Sequence, residues 1–146
     1  MTPTDKTAPS QTDSLSFDFD LHHPPEKVWR ALTIPELLAE WLLPVAGLQL
    51  APGTAFTFQA QPMPGWDGVV NCKLLESEVN KRIRYTWVVG GMDTVVTFTL
   101  TPTASGTRLS LVHSGFKPQQ KQNFGGARYG WRLMGGRLVD LLPRIP

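Results

Sequence analysis

His113 is the side chain best placed to carry a proton in this sequence. It lies on the inward-facing register of the last predicted strand, Arg108 to His113, and is the sole histidine there. An imidazole titrates near neutral pH, so His113 could anchor a polar ligand or transfer a proton. Asp67 and Asp93, at the edges of other predicted strands, could act as general bases at a pocket mouth. A hydrogen-bonded structural histidine and exposed turn carboxylates explain these residues more simply.

The remaining metal-ligating and nucleophilic side chains favour no site. His22 and His23 are adjacent in a turn without a third suitably spaced ligand, so we predict no metal site. Cys72, the only cysteine, falls inward on a central strand and is expected to be a small buried hydrophobe. A single cysteine forms no internal disulfide, which is typical of a cytoplasmic protein. No cofactor is expected.

The charge and hydropathy of the chain indicate which classes of partner to expect. Lys and Arg number 14 against 12 Asp and Glu, and they are spread along the chain, so no nucleic-acid partner is expected. Arg128, Arg132 and Arg137 could steer an acidic ligand, or they could simply solvate the outer face of the last helix. No run of about 18 apolar residues and no signal-peptide pattern occurs, so we expect no membrane partner.

These residues are positioned by elements that the hydrophobic pattern predicts. Leu15 to Leu21 alternates apolar and polar residues as a half-buried strand does. A short helix is predicted from Pro25 to Leu32, and Thr33 is predicted to cap a second helix in a capping box with Glu36. Residues 1–14 are polar and predicted to form a disordered tail, whereas residues 15–146 are expected to form one domain.

Six more strands are predicted after Pro44, joined by short turn-rich links that indicate antiparallel pairing. They are Leu48 to Leu50, Ala55 to Gln59, Gly68 to Glu76, Arg82 to Val89, Thr94 to Thr101 and Arg108 to His113. Their alternation predicts one buried and one solvated face.

The last stretch of the chain is predicted to be the helix that covers the buried face. Its apolar residues, from Phe124 to Leu142, are mostly spaced three and four apart. Its five glycines weaken a helix, and we interpret them either as sites of close approach to the sheet or as a source of mobility at a pocket entrance.

The pattern as a whole predicts an α+β fold in which about seven antiparallel strands wrap a long C-terminal helix. A sheet curved around one helix leaves internal space, and aromatic and methionine side chains suit an adaptable apolar pocket. The predicted pocket residues are Trp41, Met63, Trp66, Tyr85, Trp87, Met92, Phe98, His113, Phe116, Trp131 and Met134. The competing interpretation is that they form an ordinary core.

The segment HHPPEKVWRALTIPELLAEWLLP, from His22 to Pro44, resembles a recurring P-x-x-V-W-x-A-L-T-x-P-x-x-L-x-x-W motif. This motif is that of the activator of the 90-kDa heat-shock chaperone ATPase homologue family, within the helix-grip superfamily of lipid-transfer, pollen-allergen and polyketide-cyclase-like domains. RIRYTW, from Arg82 to Trp87, and the pair Gly130 and Trp131 add weaker matches. The resemblance implies the order β-α-α-β-β-β-β-β-β-α and a cavity between sheet and helix.

Three functions follow as hypotheses. The first is binding of a small hydrophobic molecule. The second is a cyclase- or hydrolase-like enzyme in which His113 and an acid such as Asp93 act on a bound ligand. The third is a protein-interaction module that regulates a chaperone ATPase or another partner. Family cochaperones use a separate N-terminal domain, and only 14 residues precede the domain here, so chaperone activation is not expected. An exposed edge strand would allow a homodimer.

Overall fold

An antiparallel sheet of eight strands, with three α-helices packed on it, makes up the computed structural model, which describes residues 3–8 and 13–146. The strands are β1 (Thr4–Asp5), β2 (Ser14–Leu21), β3 (Val45–Ala46), β4 (Ala55–Gln59), β5 (Val69–Glu78), β6 (Arg82–Val89), β7 (Met92–Thr103) and β8 (Gly106–Ser114). The helices are α1 (Pro25–Thr33), α2 (Pro35–Trp41) and α3 (Lys121–Leu141).

The strands lie in the order β1-β2-β8-β7-β6-β5-β4-β3, and every neighbouring pair is antiparallel. From β4 to β8 this is a meander, because each strand pairs with the next along the chain. The N-terminal β2 closes onto β8, with Leu15 opposite His113. The predicted helix-grip fold is therefore confirmed.

Strand alternation selects the buried face as the sequence predicts. Phe56, Val70, Tyr85, Phe98 and Leu111 are each no more than 3% exposed. They point to the side that α3 covers with Trp131, Leu138 and Leu141. This apolar layer holds the helix on the sheet, since burial of such side chains contributes about 1.5–3 kcal/mol each.

One of the helix glycines shows close approach to the sheet. A Cβ atom at Gly135 would lie 2.7 Å from Cε2 of Phe19 on β2. By contrast, an added Cβ at Gly125, Gly126 or Gly136 meets no other atom within 4 Å. The close-approach interpretation therefore holds for Gly135, and those three glycines need another explanation.

The N-terminal segment differs from the predicted disordered tail where it is described. Thr4 and Asp5 pair with Asp18 and Phe17 as a short edge strand. The Asp5 carboxylate accepts a hydrogen bond of 2.6 Å from Nε of Arg128 on α3. Backbone pairing and the ion pairs of Asp5 with Arg128 and Arg132 thus order a segment that has almost no apolar side chains to bury. Residues 1–2 and 9–12 of the predicted tail lie outside the described residues.

Two local predictions were wrong. The predicted strand at Leu48 to Leu50 is absent from the described sheet, and Val45–Ala46 pairs with β4 instead. Thr33 does not cap α2, because its hydroxyl donates back to the Trp29 carbonyl within α1 and Ile34 is the N-cap. A threonine in the last turn of a helix commonly bonds to the carbonyl four residues earlier.

Candidate functional site

A pocket of about 490 Å³ opens between the sheet and the first half of α3. This volume is in the range of small-molecule sites. Its lining comprises Met63, Trp66, Trp87, Met92, Gln122, Asn123, Gly126 and Ala127. We call this cavity the aromatic pocket.

A tight turn presents two of the lining residues, Met63 and Trp66. Met63 and Trp66 exchange backbone hydrogen bonds of 2.9 and 2.8 Å across Pro64-Gly65. Proline followed by glycine with a φ of 82° is the sequence pattern of a type II turn. The Trp66 indole N–H donates to the Val69 carbonyl at 3.0 Å, which fixes the ring. Met63 is 62% exposed and lies at the mouth.

The β6–β7 hairpin supplies the inner wall. Val89 and Met92 pair across Gly90-Gly91, so Trp87 and Met92 both project to the buried side. The start of α3 is tied to this hairpin by Gln120, whose side-chain amide donates to the Gly91 carbonyl at 3.4 Å. One long hydrogen bond thus connects the start of the helical wall to the hairpin.

His113 lies beneath the aromatic pocket, and both of its ring nitrogens take part in a chain of hydrogen bonds. The Trp131 indole N–H donates to Nδ1 of His113 at 2.9 Å. Because an indole can only donate, Nδ1 carries no proton, and the neutral ring holds its proton on Nε2. Nε2 then donates to the Thr94 hydroxyl at 2.7 Å, and that hydroxyl donates to the Trp87 carbonyl at 2.6 Å.

This environment keeps His113 neutral. Its ring is packed against Phe116 at 4.7 Å and Trp87 at 6.0 Å between centroids. Burial lowers the pKa of His113 from 6.5 to about 3. Since both nitrogens are used and the cation is disfavoured, His113 joins α3 to the sheet and is not poised to exchange protons near neutral pH.

The structure does not bring His113 and Asp93 together. Met92 and Thr94 are buried, whereas the intervening Asp93 is exposed on the other face of β7. Asp67 is also exposed, and its Oδ1 accepts a hydrogen bond from the Val69 amide at 3.0 Å, as a turn carboxylate does. The geometry therefore assembles no acid–base pair from the predicted residues.

The surroundings of Cys72, of the metal-ligating side chains and of the α3 arginines favour structural roles over reactive ones. Burial raises the pKa of the Cys72 thiol to about 12, so its nucleophilic thiolate is disfavoured. Among residues 3–8 and 13–146, no three His, Cys, Asp or Glu side chains are grouped as metal ligands would be. Arg128 and Arg132 both contact Asp5, at 2.6 and 3.6 Å.

Four of the eleven residues predicted for a pocket line the aromatic pocket, namely Met63, Trp66, Trp87 and Met92. Six others are buried in the core around it: Trp41, Tyr85, Phe98, His113, Phe116 and Trp131. Met134 is half-buried and packs on the same core. Strand parity identifies inward side chains, but it does not say which part of the buried face the helix leaves uncovered.

Sequence reasoning missed the helical wall. Gln122, Asn123, Gly126 and Ala127 follow an i, i+1, i+4, i+5 spacing, which places them along one side of a helix. That spacing is visible in the sequence. However, the wall became identifiable only when the structure fixed the start of α3 at Lys121.

A second depression lies where β4 leads into the segment before Met63, and it is a weaker candidate. It measures about 580 Å³ and is lined by Leu43, Pro44 and the segment from Gln59 to Pro62. Its described lining residues include no aromatic side chain and none from α3. The aromatic pocket therefore remains the candidate site.

Comparison with known proteins identifies the family. The model for activator of Hsp90 ATPase homolog 1-like proteins matches residues 22–143. The chain belongs to this family. A comparison with curated proteins found no match.

Solved structures of similar proteins share this fold. MLL2253 of Mesorhizobium loti is 41% identical, with a TM-score of 0.83 over 90% of this chain and 97% of its own. NE0264 of Nitrosomonas europaea is 26% identical, with a TM-score of 0.76 over 94% and 99%. DynU16, a protein in the dynemicin biosynthetic locus, is 22% identical, with a TM-score of 0.77 over 91% of this chain and 48% of its own. At that identity, DynU16 shows the fold alone.

No helix among the described residues is long and apolar enough to cross a membrane.

Proposed function

We propose that this family member binds a small hydrophobic molecule in the aromatic pocket. The observation that carries the proposal is the pocket itself, about 490 Å³ with two indole rings and two thioethers along its walls. Aromatic and methionine side chains bind irregular apolar ligands well because they offer large, polarizable surfaces. The fold shared with the family is compatible with such a role.

The Gly126 position supports the proposal and supplies its test. Gly126 lines the aromatic pocket, and an added Cβ would meet only open space. Glycine inside a helix lowers the stability of the helix by roughly 1 kcal/mol relative to alanine. Helix propensity therefore does not explain the glycine at position 126. Free volume for a ligand is a physical reason for that choice.

The test is titration with N-phenylnaphthylamine, an apolar dye whose fluorescence rises when it leaves water. Wild-type protein is expected to bind it, and Gly126→Leu is expected to weaken binding strongly because the leucine side chain occupies part of the pocket. Gly136→Leu is the matched control, since Gly136 also has open space and lies outside the pocket lining. Equal binding by all three proteins would refute the proposal.

The other two hypotheses draw less support from the geometry. A cyclase- or hydrolase-like reaction through His113 would need a proton that the Trp131–His113–Thr94 chain withholds near neutral pH. Regulation of a chaperone ATPase is suggested by the family's name, and no described contact adds to it. The cytoplasmic location and the homodimer remain predictions from the sequence.

A further inference from the structure

Among the residues that the structure describes, those lining the aromatic pocket have no ionisable side chain. The lining consists of two tryptophans, two methionines, two carboxamides, one glycine and one alanine. An acidic or basic ligand group inside it would therefore meet no counter-ion. Burial of an unpaired charge is strongly unfavourable, whereas a neutral polar group needs only one hydrogen bond to offset its desolvation.

Charged residues do border the pocket, but they do not form a counter-ion site. Asp67 follows Trp66, Asp93 follows Met92, and Lys121 precedes Gln122. All three are exposed and none is among the lining residues. These two carboxylates and one ammonium group, next to lining residues in the sequence, favour neither sign of charge, and water screens all three.

The pocket does offer neutral hydrogen-bonding groups. The Trp66 indole N–H is already used by the Val69 carbonyl. Trp87 is 8% exposed, and its indole N–H donates to no described residue, whereas its backbone carbonyl accepts from Thr94. The Trp87 indole N–H is thus available to a ligand acceptor, and the carboxamides of Gln122 and Asn123 can donate or accept on the opposite wall.

We infer that the aromatic pocket selects uncharged ligands: flat apolar molecules whose polar groups are neutral, such as carbonyls or hydroxyls, rather than carboxylates, sulfonates or ammonium groups. This inference rests on the proposed function, because it assigns a ligand class to the same pocket. The two indole faces provide stacking surfaces for a planar ring. The carboxamides and the Trp87 N–H provide neutral contacts at its edges.

Two dyes that differ by one charged group test the inference. N-phenylnaphthylamine is neutral, and anilinonaphthalene sulfonate is the same skeleton with a sulfonate. The wild-type protein is expected to bind the neutral dye tighter by roughly tenfold or more, since the sulfonate loses water without gaining a partner. Equal affinities, or tighter binding of the sulfonate, would overturn the inference.

Matched lysine variants separate charge from general hydrophobicity. Gln122→Lys places a cation in the lining and is expected to strengthen sulfonate binding severalfold without strengthening the neutral dye. Gly136→Lys adds the same charge to the same helix outside the lining and is expected to change neither affinity. If both lysine variants raise sulfonate affinity alike, the discrimination does not arise in the pocket.

Gly126→Leu distinguishes failure of this inference from failure of the proposed function. If the neutral dye does not bind wild type, or binds Gly126→Leu as tightly as wild type, the binding function itself fails. If Gly126→Leu weakens binding of the neutral dye and the sulfonate binds wild type just as tightly, only the ligand class is wrong.

Discussion

Acidification from pH 8 to pH 5 is expected to destabilise the protein through His113. In the folded chain, both ring nitrogens of His113 are hydrogen-bonded to neutral partners, Thr94 and Trp131, and burial lowers its pKa to about 3. In the unfolded chain the imidazole returns to a pKa near 6.5. Between these two values the unfolded state binds a proton that the folded state does not, so stability falls as the pH drops below about 6.5.

The size of the effect follows from the two pKa values. At pH 5 an unfolded histidine with a pKa of about 6.5 has about thirty protonated rings for each neutral one, whereas a folded pKa of about 3 leaves the ring neutral. This ratio corresponds to about 2 kcal/mol of unfolding free energy lost between pH 8 and pH 5. The pKa of His23 is also lowered, by burial and then by Lys27 and His22, which adds loss of the same sign.

Urea unfolding at the two pH values, for wild type and His113→Gln, isolates the His113 contribution. Glutamine can keep an acceptor for Trp131 and a donor for Thr94 but does not titrate, and the His23 contribution is common to both proteins. Wild type should lose about 2 kcal/mol more than His113→Gln. Equal losses would refute the reasoning, as would an NMR titration in which the His113 ring protonates between pH 8 and pH 5. The NMR titration can be made on the wild-type protein alone.

Three further substitutions test contacts around the same helix, each by urea unfolding. Gly135→Ala should destabilise the protein by roughly 1–3 kcal/mol because the added Cβ would collide with Phe19. Gly136→Ala should instead stabilise the protein by about 0.5–1 kcal/mol, because alanine has the higher helix propensity. Equal effects of the two substitutions would exclude close approach at Gly135. Thr94→Val should cost about 1–3 kcal/mol by leaving the His113 N–H unpaired, and no loss would argue against the hydrogen-bond chain. Asp5→Asn should cost less than about 1 kcal/mol. Burial raises the pKa of Asp5, but hydrogen bonds from Arg128 and Thr7 outweigh it and leave that pKa lowered. The stabilisation by Asp5 should therefore be present above about pH 4 and be lost below it, and a cost for Asp5→Asn that persists at pH 2 would contradict the ion pair.

The sequence predicts the fold well because alternation and helical spacing are local signals. The strand from Arg82 to Val89 and the helix that begins near Phe124 could both be read from neighbouring residues. By contrast, β1 is joined to α3 by an ion pair between Asp5 and Arg128, which are 123 positions apart. The choice of Val45–Ala46 over Leu48 to Leu50 depends on the register of β4.

The candidate site could be predicted only in part, for a related reason. Trp66 and Trp87 were identifiable by type and position, but which inward residues remain uncovered is decided by where α3 lies on the sheet. His113 illustrates the limit: its inward position was predictable, but its neutrality depends on Thr94 and Trp131, which lie 19 and 18 positions away.

The five tryptophan indole signals in a proton–nitrogen NMR spectrum give the most direct test of ligand binding in the aromatic pocket. Trp66 and Trp87 line the pocket, whereas Trp29 and Trp41 are buried elsewhere in the core. Addition of saturating N-phenylnaphthylamine should shift the Trp66 and Trp87 signals and leave those of Trp29 and Trp41 in place. Shifts confined to Trp29 and Trp41, or no shift in any indole signal, would contradict binding in this pocket.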